Sequence, residues 1–282
     1  MEGFKVDENG VLRIPEGTTR IEGHILQTVN LFNPIDLFSL DDKPAVVRKV
    51  LIPASATEID KLAFSGVESL EEVEFEEGSK LNEVGASAFA GCKKLKRLVF
   101  PNGVGRIGIN VICGCENLEE VIFPESSTVV IGKTSFKGCG NLRRLHFLGK
   151  ATKCVDEEEK TNTGSINEQS SFEWDNELIK GVDFKKLEEL SIPSGAQSMK
   201  TGFYNNKVIK KVRIPGSMEK IKSIAFEDTS LETVEICDGV KCIEDNAFSN
   251  CKKLTEIVIP GSVEEIESGA FIRSCITKSK NM

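Results

Sequence analysis

Histidine, tryptophan and tyrosine are nearly missing from this chain: two, one and one, respectively, in 282 residues. The two histidines, His24 and His146, lie far apart, and no Ser-His-Asp, metal-binding-helix or phosphate-loop pattern accompanies them. No acid and base are paired at recognisable spacing, so a non-enzymatic protein with no cofactor is expected. A deep pocket joining His146 to the carboxylates of Asp156, Glu157, Glu158 and Glu159 would reverse that expectation. Basic residues are outnumbered, 36 Lys and Arg against 44 Asp and Glu for a net charge of −8, which argues against a nucleic-acid footprint. No apolar run is long enough to cross a bilayer, so no membrane insertion is expected.

Other signals are missing too. The first residues, MEGFKVDENG, lack the basic and apolar regions of a secretory signal, and the last, CITKSKNM, carry no prenylation box or hydrophobic anchor. There is no N-x-S/T sequon. None of the 9 cysteines falls in a C-x-x-C spacing, which removes the basic zinc-ribbon and thioredoxin signal. Free, mostly buried thiols in a reducing compartment fit these facts better than a disulfide framework. An intracellular monomer is therefore expected, with a cell-surface protein lacking its export segment as the alternative.

What the chain does have is repetition. A V-x-I/F core begins at Val50, Val73, Leu98, Val121 and Leu145, then at Leu190, Val212, Val234 and Ile257, with an earlier coil at Leu12. Neighbours are 23, 25, 23 and 24 residues apart in the first block and 22, 22 and 23 in the second. A proline closes the strand at Pro15, Pro53, Pro101, Pro124, Pro193, Pro215 and Pro260, where its fixed φ and missing N–H end a ladder. An apolar residue follows seven positions after the strand, as at Ile21, Ile59, Ile107, Ile221, Ile243 and Ile266. Five later stands an Ala-Phe pair, as at Ala88-Phe89 and Ala247-Phe248, with Phe136 holding that place after a serine. Cys92, Cys115, Cys139 and Cys251 lie three residues beyond this column. Small polarizable side chains facing a stacked core explain them better than a metal cluster does.

This pattern resembles the BspA-like class of leucine-rich repeats, most closely in LTEIVIPGSVEEIESGAF at 254–271 and IKKVRIPGSMEKIKSIAF at 209–226. The resemblance implies a right-handed solenoid with a parallel β-sheet on its concave face, short 3₁₀ or extended segments on the convex face, and little α-helix. It also implies a protein-binding module or surface adhesin. The expected organisation is one continuous solenoid. It has a hairpin cap (Phe4–Val6 onto Leu12–Ile14) and first coil at 1–30, and a packed insertion at 31–46. Repeat blocks follow at 47–148 and 187–276, separated by a polar excursion at 149–186, and a charged tail closes the chain at 277–282.

Two residues ahead of each core are read as alternating in charge: Arg48-Lys49, Glu71-Glu72, Lys96-Arg97, Glu119-Glu120, Arg143-Arg144, Glu188-Glu189, Lys210-Lys211, Glu232-Thr233, Thr255-Glu256. Parallel strands in register bring like positions within about 4.8 Å, so alternation places opposite charges side by side. Because Arg143-Arg144 and Glu188-Glu189 are in phase, the strands at 145–147 and 190–192 are expected to be direct neighbours. The residues between them then form an excursion from one coil.

The outward position within each strand carries Leu51, Glu74, Val99, Ile122, His146, Ser191, Arg213, Glu235 and Val258. Adjacent Val99 and Ile122 beside His146, rimmed by charge, are the best candidates for a partner-binding patch, with Glu74, Ser191 and Arg213 along the same row. Trp174, on the excursion, is either an interface anchor or the excursion's own small core. GVGRIG at 103–108 matches a dinucleotide fingerprint, but the chain then enters the next repeat in frame, so no cofactor is expected there. The acidic run 156–159 reads as solvated loop, with a cation or basic partner as the alternative.

Overall fold

The computed structural model describes residues 6–23, 46–124, 128–131, 134–152, 172–174, 182, 185–199 and 202–281. Among these every regular element is a β-strand, and every strand pairing is parallel. The face strands fall into a three-stranded sheet (Val11–Arg13, Lys49–Ile52, Glu72–Phe75) and an eight-stranded sheet running from Arg97–Val99 to Lys278–Asn281. Register is without offset: Leu12 faces Val50 and Val50 faces Val73, while Leu98, Val121, Leu145, Leu190, Val212 and Val234 form one column.

The apolar residue seven positions on forms a second ladder. Short strands such as Arg20–Ile21, Glu58–Ile59, Glu83–Val84 and Arg106–Ile107 stack in parallel, and Lys220–Ile221, Cys242–Ile243 and Glu265–Ile266 do the same further along. These are extended; no 3₁₀ segment occurs among the described residues. The Ala-Phe pairs then turn the chain back. Most of these turns start from a left-handed residue, including Leu62 (φ 63°), Thr134 (φ 59°) and Ile224 (φ 58°), where Asn110 and Asn246 serve elsewhere.

Everything apolar points between these walls. Stacking coils one strand spacing apart lays like aromatics parallel at near-contact distance. Phe203, Phe226, Phe248 and Phe271 stack with centroids 5.7, 5.3 and 5.5 Å apart, and Phe100, Phe123 and Phe147 at 5.0 and 4.6 Å. The cysteine column is buried as expected, and it has a partner that the repeat pattern did not reveal. Cys92, Cys115 and Cys251 donate S–H to the carbonyls of Phe64, Phe89 and Phe226 one coil back, at 3.3, 3.2 and 3.2 Å. Cys139 does so to Ile112 at 3.2 Å, and Ser274 takes the same place against Phe248 at 3.0 Å. Burial pushes the Cys115 thiol up to about 12 and moves Cys92, Cys139 and Cys251 in the same direction.

The interruption is bridged directly. Arg144 faces Glu189, Leu145 faces Leu190 and His146 faces Ser191, with no strand between. Within 149–186, two stretches are strands. Lys150–Thr152 is a strand on Thr128–Ile131, and Phe172–Trp174 is a strand on Ala196–Met199, because both stretches continue the second ladder of their coil. The tail is also not free: Lys278–Asn281 pairs with Glu256–Ile259, with Lys278 the register partner of Glu256. Of the N-terminal hairpin, one antiparallel bridge from Val6 to Leu12 is described. Asp7 Oδ1 caps its turn by accepting from Asn9 and Val11 N–H at 2.9 Å each. Gly10 sits there at φ 79°, and a Cβ at that position would lie 2.5 Å from the Val46 carbonyl oxygen. Residues 1–5, the insertion up to residue 45, His24 and the acidic run 156–159 lie outside the described residues.

The face sheet breaks once. Glu72–Phe75 and Arg97–Val99 are consecutive yet share no ladder. Two local features stand at this step. Nine positions separate Phe75 from Val84 on the second ladder, where seven separate Ile52 from Ile59. A serine staple is also missing. Ser55, Ser217 and Ser262, each two residues after a strand-closing proline, donate to a carbonyl of the preceding turn at 2.9, 2.7 and 2.9 Å and accept from its glycine N–H. Pro101-Asn102-Gly103 offers no such hydroxyl, but neither does Cys237-Asp238-Gly239, whose strand pairs normally with Lys211–Ile214, so the longer spacing is the feature particular to this step.

Two outcomes follow. A left-handed β-branched residue costs about 1–2 kcal/mol, and Ile224 is 49% exposed, with little burial to lose. Ile224→Asn therefore raises the urea midpoint, by about 1 kcal/mol of unfolding free energy. In a thiol titration of the native protein, exposed Cys275 reacts first. Cys92, Cys115, Cys139 and Cys251 react only on unfolding, since buried thiols with raised pKa are poor nucleophiles.

Candidate binding surface

Strand alternation turns three rows of side chains outward on the long sheet. The first row is the charge ladder, and it is made as the alternation requires. On the three-stranded sheet Lys49 reaches Glu72 at 3.0 Å and Glu74 at 2.6 Å; on the long sheet Glu120 lies between Arg97 and Arg144 (2.8 Å to the latter), and Glu188 lies between Arg143 and Lys210 at 3.2 and 2.7 Å. Burial opposes the charge on Glu120, but Arg144 and Arg97 outweigh it and hold its carboxyl below the usual range. Lys210 holds Glu188 below that range as well.

The second row contains the candidate residues. Val99 faces Ile122, Ile122 faces His146, His146 faces Ser191, and Ser191 faces Arg213 on consecutive strands. These five are brought together. Arg213 donates from Nε to Glu235 at 3.1 Å, so one end of the row is an internal ion pair. Glu74 is not continuous with them, because the ladder fails between its strand and Val99. Trp174 is in a different sheet, its backbone opposite Met199, and so is separate from this row.

His146 is the row's polar centre. Its Nδ1 lies 3.0 Å from Ser191 Oγ and its Nε2 3.8 Å from Glu189. Burial lowers its pKa despite the nearby Glu189 and Glu120 carboxylates, so the ring is held neutral.

The third row supplies residues that the repeat pattern did not flag. Pro101 and Pro124 are partly buried, and Leu148 is 40% exposed. Leu148 stands where most other coils place the strand-closing proline; that substitution was the available signal. With Val99 and Ile122 they extend the apolar strip across three strands beside His146. The GVGRIG stretch holds no cofactor cradle. Val104 and Ile107 are core residues, and a turn from Asn110 stands where the fingerprint needs a helix. Among the described residues, no cluster of three or more potential metal ligands forms.

Stacked parallel coils with a repeating L-x-x-V-x-I/F frame and one broad strand face define a leucine-rich-repeat solenoid. The chain belongs to the BspA type leucine-rich repeat family, whose region matches in six copies over residues 44–157 and 183–281. No curated protein matches it. Similar solved structures include a leucine-rich repeat protein from Eubacterium ventriosum (20% identity, 95% of this chain and 84% of that one, TM-score 0.40). A leucine rich cell surface protein from Faecalibacterium prausnitzii shows 19% identity over 99% of this chain and 92% of that one, with a TM-score of 0.33. The pneumococcal vaccine antigen PcpA shows 20% identity and a TM-score of 0.34 over 85% of this chain, which spans 63% of that chain.

A titration tests the site's electrostatics. A histidine with a lowered folded pKa binds more protons when unfolded, so its contribution to stability falls as pH drops through the ordinary histidine range near about 6.5. From about pH 7.5 to about pH 5.5, the urea midpoint of the wild type falls further than that of His146→Asn. His24 is common to both and cancels.

Proposed function

We propose that the protein binds a partner protein on its long strand face and makes or breaks no bond. The observation that carries this reading is the apolar strip of Val99, Ile122 and Leu148 beside a neutral His146, bordered by carboxylate–guanidinium pairs that already satisfy one another. An apolar centre inside a polar rim is the usual anatomy of a protein-recognition patch. A stiff sheet holds those side chains in place before contact, so little ordering entropy is lost on binding. Ser191 and Arg213 border the strip on one side. Trp174, on the second ladder, is not needed by this reading.

An intracellular location is supported by the eight described cysteines, all free thiols. Membership of a family that includes surface adhesins supports display at the cell surface instead. Cell fractionation with thiol titration of protein from its native source separates the two, since surface exposure with oxidised cysteines reverses the choice.

The face itself is tested by affinity capture from the native source with wild type and Val99→Glu/Ile122→Lys. Loss of captured partners by about tenfold or more is expected, equivalent to about 1.4 kcal/mol; unchanged partners rule the patch out.

A further inference from the structure

His146 is placed where a partner on this face must cover it. Neighbouring strands lie about 4.8 Å apart, and alternate residues of one strand about 6.6 Å apart. His146 is the register partner of Ile122 and stands two residues before Leu148. A partner that seats on both aliphatic side chains therefore closes over the imidazole beside them. The ring keeps little water of its own to lose: its side chain is 16% exposed, and Nδ1 lies 3.0 Å from Ser191 Oγ.

The charges around the ring match an imidazolium poorly. On the strand before it, Glu120 is held between Arg97 and Arg144. Arg144 on its own strand and Lys211 two strands on both disfavour a charged ring. Glu189, on the strand after it, is the one carboxylate within ion-pair reach among the described residues. Its oxygen lies 3.8 Å from Nε2, beyond hydrogen-bond distance. Ser191 suits either protonation state, since its hydroxyl donates to a bare Nδ1 and accepts from a protonated one. Burial is the largest influence on the free ring and lowers its pKa. A covering partner removes the remaining water and acts in the same direction.

We propose that His146 gates the face by its proton: a partner that sets an uncharged surface against the strip binds over the neutral ring and is released when the ring is protonated. The sign follows from linkage. A ring whose pKa is lower under the partner than in the free chain takes up a proton on release. Affinity is therefore full above the ordinary histidine range and falls as pH drops through the pKa of the free ring, below about 6.5. A partner carboxylate set against the ring would reverse that sign. This rests on the strand-face reading and adds its regulation.

The test uses the immobilised full chain and the proteins it captures from the native source at about pH 7.5, washed in parallel at about pH 7.5 and about pH 5.5. Quantitative mass spectrometry gives the retained ratio for wild type and for His146→Asn, each compared with itself. His24 and the partner's own titrating groups are common to both and cancel. Wild type is expected to lose about threefold to tenfold more of its partners to the acid wash than His146→Asn. Proton NMR of the free chain, with His24→Asn to identify the signal, is expected to place the His146 titration below about 6.5. That measurement needs no partner and stands if His146→Asn fails to fold. Equal acid losses, tighter retention by the wild type in acid, or a His146 titration above that value overturns the proposal. Equal acid losses with capture still abolished by Val99→Glu/Ile122→Lys sink the switch and leave the face. Capture indifferent to that double variant sinks the face, and the switch with it.

Discussion

Each coil of this molecule hydrogen-bonds to the coil before and the coil after, without offset, and every other feature depends on that stacking. Zero offset makes each sequence position a column in space, and a column tolerates only what can lie on a copy of itself. Phenylalanines lie ring on ring, glycines and asparagines occupy the left-handed corner, and thiols meet the carbonyl of the coil beneath. Charges cannot lie on copies of themselves, so they alternate.

The columns differ in what they contribute. A buried phenylalanine contributes about 1.5–3 kcal/mol, whereas an exposed ion pair contributes about 0.2–1 kcal/mol. The apolar columns therefore supply the stability, and the charge ladder penalises slipped registers, in which like charges would meet. Glu120 between two arginines and Glu188 between Arg143 and Lys210 both serve that end. On the proposed reading, the same pairing prepares the face for recognition. Charges that neutralise each other within the sheet leave Val99, Ile122 and Leu148 as the part of the surface with unmet demand.

The stack yields at one place. Beside two extra residues after Phe75 the face strands lose their ladder while the second ladder and the turns stay paired.

Much of this was legible in the order of the residues. The inward columns, the frame of the strands and the direct contact of Arg144 with Glu189 across a long interruption all follow from periodicity and charge phase. Each is a property of one position meeting its own copy, so one coil's sequence is enough to read it. Other features were decided only in three dimensions. They are the gap between Glu72–Phe75 and Arg97–Val99, the strands at Lys150–Thr152 and Phe172–Trp174, the pairing of the tail, and the exposure of Leu148. Whether two particular coils close on each other depends on loop lengths and staples summed around both turns, and no repeat carries that sum within itself.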